Sequence, residues 1–284
     1  MGITRILTAA QMRRADEIAI ESGVSGFDLM DRAGRAVAGV VLKNMPDYGR
    51  VLILAGPGNN GGDGFAAAHH LRKYRIQVTV VSLVPVDSIV GDSKAHVELA
   101  ISSGVKIREA TSVDNICEVE RWLSRAVMIV DAMFGTGLCR PLEGLMAETV
   151  ARINGCDRPV ISIDIASGIC ADTGAVLGAA VNATITLPLA ASKWGHWLAE
   201  GRDYTGLLLD AADIGISDEI IQSSWHASCD CEDDNNCFCV NSTCLINKEY
   251  LRAAWPPRPR LSHKGFFGHV CVFGGSVGYT GALQ

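Results

Sequence analysis

A chain of 284 residues, 48% hydrophobic and 20% charged, has enough apolar side chains to fold around one large core or two modest ones, which excludes a disordered polymer. No run reaches the roughly 20 uninterrupted apolar residues of a membrane helix. The opening Met1-Gly2-Ile3-Thr4-Arg5 lacks the basic-then-apolar pattern of a secretory leader, so no membrane partner and a cytoplasmic location are expected. A formal net charge of −6 argues against a general nucleic-acid binder.

The first 45 residues read as two helices. Thr8 caps the first, with Gln11 three residues on as a capping-box partner, and Met12, Ala15, Ile18 and Ala19 recur at helical spacing. Gly23 to Gly26 breaks it, and Leu29, Met30, Ala33, Val37 and Val41 mark a second helix that ends near Pro46. From Arg50 the pattern changes to short continuous apolar runs at 51–54, 78–81, 105–107, 127–130, 160–163, 183–187 and 207–209. Helical stretches separate most of them, running to His70, over 93–102, around 115–124 and near 143–153. Unbroken apolar runs suit strands covered on both faces. Their alternation with helices predicts an α/β fold, a Rossmann-like three-layer α/β/α sandwich on a mostly parallel sheet. Ligands of such sheets bind beyond the carboxyl ends of the strands.

The residues just past each strand are therefore informative. After 51–54 comes Gly56-Pro57-Gly58-Asn59-Asn60-Gly61-Gly62-Asp63-Gly64, whose glycines allow close backbone approach to a phosphate at the next helix start. It matches G-x-G-x-x-G. The next strand does not end on the acid that grips a ribose, which disfavours an ordinary NAD-dependent dehydrogenase, and no P-loop lysine is present. The bland alternative is a tight strand-to-helix turn with Asp63 as the helix cap. Asp131 comes after the run 127–130, and Asp164 and Ser167 come after 160–163. Asn60, Asp131 and Ser167 offer hard oxygen ligands of low total charge, suited to an alkali or alkaline-earth ion and favouring K⁺. Asp164 is then a spare carboxylate for proton transfer. No Ser-His-Asp set is evident, and His69, His70 and His96 fall on helical stretches as surface or core residues.

The stretches Gly56–Gly64, Asp131–Pro141 and Asp164–Gly168 resemble the three signatures of the NAD(P)H-hydrate epimerases, the YjeF N-terminal domain family. Gln11–Asp16, Leu29–Gly34, Lys193-Trp194-Gly195 and Gly206–Asp210 are similar to its other segments. The resemblance covers residues 1–216. It implies K⁺-assisted interconversion, at C6 of the ring, of the R and S epimers of NADHX and NADPHX, the hydrated forms of NADH and NADPH. It also implies substrate contacts from Asn59, Asn60, Gly61, Gly62 and Asp63, from Gly135, Thr136, Gly137, Leu138, Cys139, Arg140 and Pro141, and from Asp164. K⁺ would be held by Asn60, Asp131 and Ser167. Ala166 replaces the family's usual proline, which loosens the loop without removing a ligand atom. Asp164→Ala is expected to abolish turnover and leave the fold intact.

Two segments stand apart. Residues 217–247 hold Asp218, Glu219, Asp230, Glu232, Asp233 and Asp234 with no Lys or Arg, together with Cys229, Cys231, Cys237, Cys239 and Cys244. They read as an acidic linker or as a zinc or iron–sulfur site. The other cysteines are scattered singly, as in a reducing compartment. Residues 248–284, with Pro256–Gly265 and Gly274–Ala282, resemble the start of a ribokinase-like ADP/ATP-dependent NAD(P)H-hydrate dehydratase domain. Too little of it is present for dehydratase activity to be expected. The run Val270–Phe273, as an unpaired strand, is an expected point of homo-oligomerisation. Two rivals to the enzyme reading are an interaction scaffold of the same fold and a nucleotide sensor without turnover. Joint retention of Asn60, Asp63, Asp131, Asp164 and Ser167 favours catalysis.

Overall fold

The computed structural model describes residues 5–46, 48–226, 243–246 and 252. The chain divides into two units, residues 2–245 and a second comprising Met1 with 246–284. The dehydratase-like stretch, apart from Arg252, and Cys229, Cys231, Cys237 and Cys239 of the acidic segment lie outside the described residues.

In the larger unit a short strand β1 (Arg5–Leu7) leads into α1 (Ala9–Glu21), and α2 spans Gly26–Asn44. Strands and helices then alternate through β2 (Arg50–Ala55), α3 (Asn59–Lys73), β3 (Gln77–Ser82), α4 (Gly91–Ser102), β4 (Lys106–Glu109), α5 (Ile116–Leu123), β5 (Met128–Ala132), α6 (Leu145–Asn154) and β6 (Val160–Ile163). A long loop reaches β7 (Ile185–Leu187), and after it come β8 (Ser192–Lys193), α7 (Gly201–Tyr204), β9 (Leu207–Leu208), α8 (Asp218–His226) and β10 (Thr243–Cys244). The main sheet has the order β4-β3-β2-β5-β6-β7-β9, and every pairing in it is parallel. A small second sheet has the order β10-β1-β8.

The pleat of β2 explains the three layers. Val51, Ile53 and Ala55 join one apolar cluster with Val37 of α2, Phe65 of α3 and Val97 of α4. Leu52 and Leu54 point the other way and pack with Val119 and Trp122 of α5 and with Val150 and Ile153 of α6. Strands covered on both faces need no polar alternation, and their unbroken apolar sequences result from that. The order also reverses between β2 and β5: the chain leaves β2 toward β3 and β4, and leaves β5 toward β6 and β7. A crevice opens at such a point because the two connections diverge.

Two expectations change. The run 56–64 is mostly helix rather than loop: α3 begins at Asn59 with Gly58 as its N-cap and no capping side chain, so Asp63 is an interior helical residue and not the cap. Asp131 is the fourth residue of β5 rather than the first of a loop, because it continues the ladder opposite Leu54 and Ser162.

Candidate functional site

At the β2/β5 crevice lies a cavity of about 700 Å³. Its walls come from α1 (Met12, Arg13, Asp16), from the start of α3 (Gly58, Asn59, Asn60, Asp63) and from the loop after β5 (Met133 to Arg140), with Asp164 and Lys193 among its polar side chains. The glycines fix this shape by close approach. A Cβ on Gly56 would lie 1.9 Å from the Met133 carbonyl oxygen, and one on Gly61 would lie 2.2 Å from the Gly56 carbonyl oxygen. The backbones of β2, α3 and the loop after β5 therefore touch without intervening side chains.

Of the residues expected from sequence, Asn59, Asn60, Asp63, Gly135, Thr136, Gly137, Leu138, Cys139, Arg140 and Asp164 line this cavity. Gly61, Gly62, Pro141, Asp131 and Ser167 do not. Gly62 packs instead near Met30 and Ser93. Asp131 and Ser167 meet directly beneath the loop. Ser167 donates its hydroxyl to Asp131 Oδ1 at 2.6 Å and its backbone N–H to Oδ2 at 2.9 Å. The Ser162 hydroxyl donates to Oδ2 at 2.8 Å and the Met133 N–H to Oδ1 at 3.2 Å. Burial raises the Asp131 carboxyl above its usual range, and these hydrogen bonds oppose the shift. The same Ser167 hydroxyl accepts from Phe134 N–H at 2.9 Å, tying the β6 loop to the β5 loop. Asn60 stands apart from that pair: its amide is buried and neither Oδ1 nor Nδ2 has a hydrogen-bond partner among the described residues. A buried amide left in that state is costly, and it fits a ligand or ion supplying the missing contact.

Asp164 holds the centre. It adopts a left-handed backbone with φ of 67°, sparsely populated for a residue with a Cβ and found preferentially where structure over-determines it. Its N–H bonds Leu187 O at 2.8 Å, and its carbonyl oxygen faces His196 Nε2 at 2.8 Å. Its Oδ1 accepts from Leu189 N–H at 3.0 Å and from the ammonium of Lys193. The other oxygen, Oδ2, faces Gly135, where a Cβ would be 3.5 Å from both Asp164 Oδ2 and Asn60 Oδ1. One carboxylate oxygen is thus clamped, and the other is presented beside the unpartnered amide.

Sequence reasoning missed three groups here. Lys193 is fully buried, and besides Asp164 it donates to Leu189 O at 2.8 Å. A lone cation in the mostly apolar stretch 185–197 was its signal, since a buried ammonium requires a partner. His196 is also buried; burial, with Lys193 adding, lowers it to about 4, so it is neutral at ordinary pH. Asp16 sits on the apolar stripe of α1 between Met12 and Ala19, which is the signal that spacing offered. Burial pushes its carboxyl up to about 6; Lys193 opposes the shift and Asp164 adds to it. Asp63 is raised well above its usual range by burial, with Asp164 and Asp16 adding. His70 and His96 are buried outside the cavity lining, against Asp31 and Phe27 respectively.

Residues 26–195 match the model of the family described as YjeF-related protein N-terminus. The chain belongs to this family. Among curated relatives, the NAD(P)H-hydrate epimerase of Limosilactobacillus fermentum is 35% identical over 210 residues, covering 74% of this chain and 97% of that protein. The bifunctional NAD(P)H-hydrate repair enzyme Nnr of Moorella thermoacetica is 32% identical over 287 residues, 98% of this chain and 50% of that one. The chain therefore spans about half the length of its bifunctional relatives. The crystal structure of the yeast protein ynu0 superposes with a TM-score of 0.61 at 22% identity, covering 67% of this chain and 82% of that one, which shows the YjeF-related fold. The family match takes in every cavity residue from Gly26 to Lys193 and leaves α1, with Arg13 and Asp16, outside it. Among the described residues no helix is long and apolar enough to cross a membrane.

Proposed function

We propose that residues 1–216 form an isomerase that interconverts the R and S epimers of NADHX and NADPHX, with K⁺ held beside the substrate. One observation carries the reading: Asp164, fixed in a strained backbone and clamped on one oxygen by Lys193, presents its other oxygen into a cavity next to the Asn60 amide, which has no partner among the described residues. The names of the relatives support the same substrate class.

The hydrated ring carries a hydroxyl on the carbon beside nitrogen. The nitrogen lone pair expels it, giving a planar iminium, and water returns on either face. Such a site needs a proton carrier and a counter-charge for the planar cation. Asp164 supplies the counter-charge and an oxygen that exchanges protons. The start of α3, with Asn59 and Asn60, lies where its free N–H groups favour the anionic diphosphate. Gly135 to Arg140 line the same cavity, where they would contact the nucleotide.

Asn60, Asp131 and Ser167 are the residues that would hold K⁺: all offer oxygen and one is a carboxylate, and the Asn60 amide, without a partner among the described residues, is open to an ion, whereas Asp131 and Ser167 bond each other beneath the cavity lining and would have to turn toward it. When bound, K⁺ would supply positive charge against Asp131 and the anionic substrate. Asn60→Ala should raise the K⁺ concentration for half-maximal rate roughly tenfold and move the K⁺ concentration at which Tm rises by the same factor. Unchanged K⁺ titrations by both readouts would remove Asn60 from the ion site. The proposed activity itself is tested by incubating the protein with pure R epimer and tracking the S epimer by chromatography. Conversion no faster than in buffer would overturn it.

A further inference from the structure

The cavity holds more acid than a single counter-charge requires. Asp16, Asp63, Asp92 and Asp164 all line it, and among the described residues Lys193 is the one ammonium beside the guanidiniums of Arg13 and Arg140. That ammonium is spent on Asp164 Oδ1 and Leu189 O. Asp16 makes no hydrogen bond or ion pair with any described residue, and its carboxyl is partly buried on the face of α1 turned to the cavity. Asp164 belongs to the sheet edge and Asp16 to the helix, so the two carboxyls rise from different walls. An epimerisation through a planar intermediate needs proton traffic on both faces of the ring. Resting on the epimerase reading, we propose that Asp16 is the second proton-transfer group of the site, serving the face of the ring opposite Asp164.

In the forward step the Asp16 carboxyl gives its proton to the departing hydroxyl, the C6–O bond breaks, and the ring nitrogen lone pair forms the C=N bond. Water adds on the Asp164 face, a new C6–O bond forms, and the water proton passes to the Asp164 carboxylate. The proton lost by Asp16 equals the proton gained by Asp164, and exchange with solvent through the open cavity resets the pair. The reverse epimerisation runs the same transfers backward. Both directions use the enzyme carrying one proton on the pair. The environments suit the division of labour. Asp16 is raised to about 6 by burial and has no donor among the described residues, whereas Asp164 accepts from an ammonium and an N–H. The charged groups that act on Asp16 are Lys193 on β8, Asp164 after β6 and Glu17 on its own helix; Asp16 in turn acts on Asp63 of α3, and Arg13, Asp92 and Arg140 also line the cavity.

The test is the pH profile of wild type, Asp16→Asn and Asp16→Glu with each pure epimer. Wild-type kcat/KM should fall as pH rises above about 6, in both directions. Asp16→Asn should lose roughly 100-fold or more in kcat with little change in KM, and should lose that limb. Asp16→Glu, which keeps an acid, should recover at least a tenfold part of the loss. An active wild type with no limb near 6 overturns the proposal without any variant. So does Asp16→Asn with kcat within about threefold of wild type. A wild type that converts neither epimer overturns the epimerase reading, and this proposal with it.

Discussion

At the scale of single residues, the Asp164–Lys193 pair decides how the site can be probed. Both side chains are buried, and one satisfies the other. Asp164→Ala therefore does not simply remove a reactive group. It strands an ammonium in the interior, which costs on the order of 3–5 kcal/mol. On that count this variant is expected to lose stability as well as turnover. Asp164→Asn keeps an oxygen for the Lys193 and Leu189 donors and is the cleaner probe. Thermal unfolding should show Asp164→Ala well below Asp164→Asn in Tm, with both inactive. Equal Tm values would mean that the ammonium finds water or another acceptor. The pair also marks where reading by residue stops. Asp164 is visible in the sequence because it closes an apolar run, whereas Lys193 lies 29 positions away and acquires meaning only when the loop before β8 folds back. Asp16 is hidden for the same reason: on α1 it interrupts an apolar stripe, and nothing in the stripe says what faces it.

At the scale of elements, the site depends on how closely β2, α3 and the loop after β5 approach. Gly56 and Gly61 permit contact of backbone on backbone, and Gly56 N–H completes it by bonding Ala132 O at 3.0 Å. Gly56→Ala places a methyl group against the Met133 carbonyl, so one of the two chains must move. The expected cost is about 1–3 kcal/mol, a fall of several degrees in Tm, with a larger proportional loss in kcat because the moved loop carries Gly135. A variant with wild-type Tm would show that the two backbones part at little cost. These glycines also explain the misplaced start of α3. Several glycines disfavour helix by propensity, so 56–64 reads as loop. The helix that begins at Asn59 nonetheless carries glycine at 61 and 62 because the neighbours leave no room for side chains there. By contrast, β2, β3, β5 and β6 are legible in the sequence because burial on both faces writes an unbroken apolar run, and the Thr8–Gln11 capping box that opens α1 is legible because capping is local. Strands β1, β8 and β10 span two or three residues each, too few for any period to register.

At the scale of the molecule, a parallel sheet whose order reverses between β2 and β5 opens one crevice, and the family signatures converge there from Asn59, Gly135 and Asp164. The helix α1, outside the stretch matched to the family, closes the same cavity with Arg13 and Asp16. The central claim is that this crevice passes a hydrated nicotinamide ring through a planar cation. The most direct measurement incubates each epimer separately in H₂¹⁸O with the protein and K⁺, and tracks both the epimer ratio and the label at C6. Passage through the cation predicts that the two reactions converge on one ratio well above the buffer rate, with ¹⁸O entering as fast as the epimers interchange. Failure to converge faster than buffer would contradict the assigned activity, and interchange without label would contradict loss and return of water as its route.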